Sequence, residues 1–99
     1  ITGNISLSAP YYDYYLINST NNSFNITLPS ITSLPNNKRT FTFSDIGGNL
    51  LINNVNIITS SPDIIVGGTG YLLNINYSST TVVSNAFMPS GSTGIWFVI

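Results

Sequence analysis

The sequence contains no cysteine and no histidine. Their absence removes disulfides as staples, and with them the two side chains that most often close a structural zinc site. Nucleophilic triads are excluded on the same ground, because a nucleophile needs a base beside it and Lys38 is the single lysine. Charge is nearly missing too. Asp13, Lys38, Arg39, Asp45 and Asp63 make up 5% of the chain, against roughly 25% in an ordinary soluble domain. Two cations cannot form an electrostatic footprint on phosphates, so no nucleic-acid partner is expected. No apolar run approaches the ~20 residues of a membrane-spanning helix, the longest being Gly94 to Ile99. Membrane insertion is therefore not expected, and the first residues show no signal-peptide pattern.

What is present argues for a folded chain. Disorder goes with low hydrophobicity and high net charge, whereas this chain is 42% hydrophobic with a net charge of −1. Asn, Ser and Thr supply its solubility. Its 99 residues make one domain, 1–99, with a thin core that buries only roughly 60–65% of the unfolded surface. With no cysteine for a disulfide and no structural metal expected, oligomerisation is the expected staple. The chain begins at Ile1 rather than Met, and is expected to be the C-terminal part of a longer protein.

Period-two alternation dominates. Short strands are expected at Ile5–Leu7, Tyr14–Ile17, Phe24–Leu28, Thr40–Phe43, Leu50–Ile52, Val55–Ile58, Ile64–Val66, Tyr71–Tyr77, Thr80–Val83 and Ile95–Ile99. Turn signals separate them, among them Leu34-Pro35-Asn36-Asn37, Gly47-Gly48-Asn49, Asn53-Asn54, Ser61-Pro62-Asp63, Gly67-Gly68-Thr69-Gly70 and Pro89-Ser90-Gly91. At most one turn of 3₁₀ helix is expected, near Ser30 to Leu34. Many short strands at this spacing predict an all-β fold, a compact antiparallel β-sandwich or jelly-roll-like domain. Asn-Ile pairs recur at Asn4, Asn25, Asn56 and Asn74, but their separations, near twenty, thirty and twenty residues, argue against a solenoid array, which would hold its period.

Paired carboxylates of the glycosidase kind need two acids within roughly 5–10 Å, and the three aspartates lie in separate turns. Asp45 and Asp63 read as carboxylates that hydrogen-bond their own turn backbones. The Gly67 to Gly70 run lacks the lysine and helix of a phosphate loop and reads as a turn. No enzymatic activity, metal or cofactor is expected. Acceptor sequons at Asn4, Asn18, Asn21, Asn25 and Asn76 are expected by chance in so Asn-rich a chain.

Two stretches stand out. Tyr11, Tyr12, Asp13, Tyr14 and Tyr15 put four aromatic rings around one acid, which suits a receptor or glycan surface. The alternative, favoured here, is that the tyrosines pack inside with their hydroxyls at the rim. Ile95, Trp96, Phe97, Val98 and Ile99 form an unbroken apolar end, and a strand apolar on both faces needs cover on both.

Leu28-Pro29, Phe41-Thr42-Phe43-Ser44-Asp45-Ile46-Gly47-Gly48, Asn54-Val55-Asn56-Ile57-Ile58, Asp63-Ile64-Ile65-Val66-Gly67-Gly68, Tyr77-Ser78-Ser79-Thr80-Thr81-Val82-Val83 and the closing Trp96 strand together resemble the C-terminal head domains of phage tail fibres. Similar heads cap collagen-like fibre proteins of giant viruses and virophages. Such heads usually carry Gly where this chain has Asn37-Lys38. The resemblance implies a homotrimer that ends and registers a fibre at the virion surface, extracellular and often the attachment tip, with a host-surface glycan or fibre receptor as partner. It implies no catalytic residue. On this reading Ile95 to Ile99 meet around a three-fold axis, where burying on the order of 300–400 Å² per chain contributes about 7–10 kcal/mol before ordering costs. The alternatives are a carbohydrate-binding module or a fragment of a β-solenoid adhesin.

Overall fold

The computed structural model describes residues 1–66, 68–85 and 93–99. Nine strands are present among them: β1 (Ile5–Ser6), β2 (Tyr14–Ile17), β3 (Phe24–Thr27), β4 (Thr40–Asp45), β5 (Val55–Ile58), β6 (Ile64–Ile65), β7 (Gly70–Leu73), β8 (Ser79–Ser84) and β9 (Ile95–Val98). Two 3₁₀ turns, Ile31–Ser33 and Pro35–Asn37, are the helical segments. The first falls where the sequence places one. In the second, Asn36 and Asn37 take φ of 55° and 56°, a left-handed conformation that asparagine tolerates better than most side chains. That is how the chain does without glycine at this turn.

The strands form a four-stranded sheet, ordered β1-β3-β5-β7, and a five-stranded sheet, ordered β2-β4-β8-β9-β6. The fold is all-β, but the sheets are mixed rather than antiparallel. β1, β3 and β5 run parallel, as do β2 with β4 and β6 with β9. Among the described strands, the antiparallel pairs are β4–β8, β5–β7 and β8–β9. Alternation reports which face a side chain takes and says nothing of strand direction. Direction follows from the path: β1 to β5 step alternately from one sheet to the other, so each return to a sheet lays a strand parallel to the last.

That path stacks the Asn-Ile pairs. Asn25 registers with Asn56, Ile26 with Ile57, and Ile5 with Ile26. Their uneven spacing comes from the longer β3–β5 passage, which holds both 3₁₀ turns, β4 and the loop after it. The fourth pair, Asn74-Ile75, lies beyond the end of β7 and does not join. Stacking stops at β5 because β7 meets it antiparallel. Parallel stacking therefore governs the first half of the chain, and antiparallel pairing, apart from β6 with β9, the second.

The two sheets share one core. Phe24, Ile26, Val55, Ile57 and Leu73 contribute from the four-stranded sheet, and Ile17, Phe41, Phe43, Ile65, Val82 and Trp96 from the other. Phe41 stacks on Trp96 at 5.7 Å between ring centroids. Leu50 to Ile52 is a turn rather than a strand: Asn49 C=O accepts from Ile52 N and Asn53 N at 3.1 and 2.8 Å. Leu50 is buried while Leu51 and Ile52 are exposed. Three apolar residues between two turn signals leave too little chain to pair. β7 stops at Leu73 because the chain turns after it, with Ser78 N donating to Ile75 C=O at 3.2 Å and Tyr77 at φ 58°, so Ile75 and Tyr77 lie outside the strand. The Pro89-Ser90-Gly91 turn and Gly67 of the glycine run lie outside the described residues.

Candidate functional site

β9 lies inside its sheet, paired with β8 along Trp96–Val98 and with β6 at Ile95 and Trp96. Its side chains alternate. Trp96 is fully buried and Val98 packs on the core, whereas Phe97 is 48% and Ile99 77% exposed. Of the expected trimer-contact residues, Trp96 therefore offers no outward surface: it fills its own chain's core. Ile95 is half-buried and shares the outer face with its register partner Ile64. Val83, opposite Phe97, extends this patch, and exposed Val66 lies at its edge. Neither Val83 nor Ile64 is singled out by the sequence, because their outward placement depends on register.

Next to the patch runs a stripe of hydroxyls. Thr42 and Thr81 meet at 2.8 Å, and Ser44 and Ser79 at 2.7 Å. Beyond the stripe, Tyr14 and Leu16 of β2 are exposed opposite Thr42 and Ser44. Asp45 is the one charged residue in the strands of this sheet, and it points inward.

The tyrosine cluster divides. Tyr11 and Tyr15 pack against the core, Tyr15 stacking on Phe43 at 5.7 Å and meeting Phe41 edge-on at 6.0 Å. The Tyr15 hydroxyl accepts from Tyr12 N at 3.1 Å, a rim position as the packing alternative expects. Tyr12 and Tyr14 are exposed, at 62% and 74%. Arg39 joins the cluster from β4's entry: its guanidinium lies 5.4 Å from the Phe41 ring centroid and 5.9 Å from that of Tyr11, and pairs with Asp13 at 3.2 Å. A receptor surface here reduces to Tyr12, Asp13 and Tyr14.

The buried carboxylates hold loops. Asp45 accepts from Gly47 N and Gly48 N within its own turn and from Tyr77 N at 2.9 Å. Asp63 differs from its expected role: its Oδ2 accepts at 2.8 Å from Ile31 N, across the fold, and among the described residues its carboxylate takes no bond from its own turn. Asp45 ends β4 beside Ser78, whereas Asp63 adjoins Gly94 at the entry to β9. The length of β8, six residues or about 20 Å, separates them. They cannot act as a catalytic pair. Among the described residues no three acidic side chains come together as a metal site.

At Asp45's end of the molecule, loops tie one another down. Asn53 Nδ2 donates to Ser19 O, Asn49 Nδ2 to Thr20 Oγ1, and Leu51 N to Asn76 Oδ1. Ile46, Leu51, Ile52, Ile75 and Tyr77 are held outward from these loops. Such braced exposure is invisible in a local reading of the sequence.

The outer face of the four-stranded sheet has a different chemistry. Asn25 and Asn56 lie side by side on it, with exposed Leu72 opposite Asn56. Comparison with models of protein families finds no match to this chain, and comparison with curated proteins finds none either.

Proposed function

We propose that this chain is a non-enzymatic head: a two-layer sandwich that assembles as a homotrimer, caps a viral fibre at the virion surface and presents an attachment face outside the cell. One observation carries this reading. The outward side chains of β9 and of the residue after it, Phe97 and Ile99 with Ile95, Ile64 and Val83 around them, are apolar and sit in a sheet whose strands carry no outward charge. A chain with a thin core gains most from covering such a patch, and the neighbouring Thr42–Thr81 and Ser44–Ser79 hydroxyls can hydrogen-bond at a symmetric contact without like-charge repulsion. The resemblance to fibre heads supplies the fibre and the three-fold symmetry.

Light scattering tests the assembly. The expected mass is three times the 10.7 kDa of the chain, and Phe97→Asp is expected to give a folded monomer. A wild-type monomer at micromolar concentration would remove this reading. A carbohydrate-binding module is a second reading, favoured by the amide-bearing face of the other sheet.

A further inference from the structure

We infer that the outer face of the four-stranded sheet is a binding site for a neutral oligosaccharide lying across the strands, held by the amides of Asn4, Asn25 and Asn56. This deepens the attachment role proposed above and rests on it. Two adjoining hollows of about 380 and 310 Å³ lie on this face, and both are lined by Asn4 and Asn25. Asn56 and Leu72 border the first, Thr27 and Ile58 the second.

The amides are free to bind. Asn4 Oδ1 accepts from Asn25 N at 2.8 Å, which fixes the Asn4 side chain and leaves its NH₂ pointing to no protein acceptor among the described residues. The Asn25 and Asn56 side chains are exposed and have no hydrogen-bond partner among the described residues. Each carries two donors and an acceptor. They stand on neighbouring parallel strands in direct register, so the row repeats at the strand spacing of about 4.8 Å. Successive rings of a sugar chain recur at a closely similar distance, and each offers hydroxyls that both donate and accept. Leu72 and Ile58 provide apolar ground for ring C–H faces.

The choice of ligand follows from the row's direction and charge. A peptide binds a sheet by pairing along an edge strand, whereas this row crosses β1, β3 and β5 on their face. None of the chain's five charged residues lines either hollow. An ionic sugar would therefore find no counter-charge, and a neutral one leaves no charge unpaired.

The test uses the intact chain made in bacteria, since Asn4 and Asn25 lie in acceptor sequons that a eukaryotic host can modify. Wild-type protein is applied to an array carrying neutral glucans, mannans and galactans together with sialylated and sulfated glycans. Capture by a neutral glycan is expected. Asn25→Ala/Asn56→Ala is expected to weaken that capture at least about tenfold, the loss of a few solvent-competed hydrogen bonds, at an unchanged melting temperature. Tyr12→Ala/Tyr14→Ala should bind as wild type. Failure to capture any neutral glycan, or equal capture by the double-asparagine variant, would overturn the inference. Light scattering on the same samples separates it from the head reading: a trimer without glycan binding removes the groove alone, and a monomer that binds glycan removes the assembly alone.

Discussion

The outer faces of the two sheets are built by one alternating pattern and end in opposite chemistries. On the five-stranded sheet, Phe97 projects beside Val83, with Ile95 and Ile64 further along. On the four-stranded sheet, Asn25 and Asn56 project with Leu72. The difference is one of strength and permanence. Covering apolar surface contributes about 25 cal/mol per Å² wherever it is removed from water. An asparagine only exchanges water for a ligand hydroxyl, a net gain of about 0.5–1.5 kcal/mol per bond. The apolar face suits lasting assembly, and the amide face suits reversible contact.

The sharpest division within the five-stranded sheet falls between adjacent residues of β9 on its opposite faces. Trp96→Ala removes a fully buried indole stacked on Phe41, and is expected to cost about 3–5 kcal/mol, a large share of the ~5–15 kcal/mol that holds such a domain together. Phe97→Ala, one position on, should change chain stability by less than about 1 kcal/mol in the monomer while weakening self-association. Urea unfolding at low protein concentration, paired with light scattering at high concentration, measures the two losses separately. Equal destabilisation by both variants at low concentration would show that Phe97 belongs to the chain's own core.

The tyrosine cluster gives a second contrast of the same form. Tyr15→Ala loses the ring packed between Phe41 and Phe43 and should cost about 2–4 kcal/mol, near the low end for large aromatic truncations because the residue is only half-buried. Tyr14→Ala should fall within about 0.5 kcal/mol of wild type. Thermal melts of the two variants decide it. If Tyr14 proves the costlier change, its exposed ring is covered in the assembly, and the five-stranded sheet's contact extends to β2.

Asp45 and Asp63 differ by the number of N–H groups they hold, and the effects should scale with it. Asp45 accepts from Gly47, Gly48 and Tyr77 and joins two loops. Asp45→Ala would orphan several donors, at about 2–3 kcal/mol, whereas Asp63→Ala orphans chiefly Ile31 N and should cost about 1–2 kcal/mol. Denaturant midpoints for both variants test the order.

These contrasts also mark where the sequence was legible. Strand positions could be read because Phe24-Asn25-Ile26 and Phe41-Thr42-Phe43 announce their inward faces. Asp45's turn could be read because a carboxylate two residues before Gly-Gly meets their N–H groups locally. Strand direction could not, since β1 to β5 return to each sheet only after crossing the other. The stacked asparagines were therefore visible as repeated pairs but not as neighbours. Asp63's bond to Ile31 spans 32 positions, and no local rule connects residues so far apart. The apolar end gives no hint in its composition of how the fold divides it: Trp96 fills the chain's own core, while Phe97 and Ile99 remain exposed, because inward and outward positions alternate along the strand.

The smallest effects should come from charge, on either face. Arg39–Asp13 is the one salt bridge among the described residues, at 3.2 Å, with the Asp13 side chain 73% exposed. A pair so open to water is worth at most about 1 kcal/mol. Arg39 also rests over Phe41 and Tyr11, contacts that Asp13→Asn leaves in place. That variant should therefore melt within a degree or two of wild type. Raising salt to about 0.5 M screens the same pair and should do no more. No histidine is present, so no side-chain type that ordinarily titrates between about pH 5 and 8 is available to act as a switch. Melting temperature and glycan capture measured from pH 5.5 to 8, from low salt to 0.5 M and with or without EDTA should form a flat surface. A steep loss of capture with salt would mean that an anionic ligand reaches Lys38 and Arg39 instead of a neutral one lying on Asn25 and Asn56. A fall in melting temperature with EDTA would mean that aspartates from separate chains meet around a metal, so that the contact between copies would rest on ions and not on Phe97.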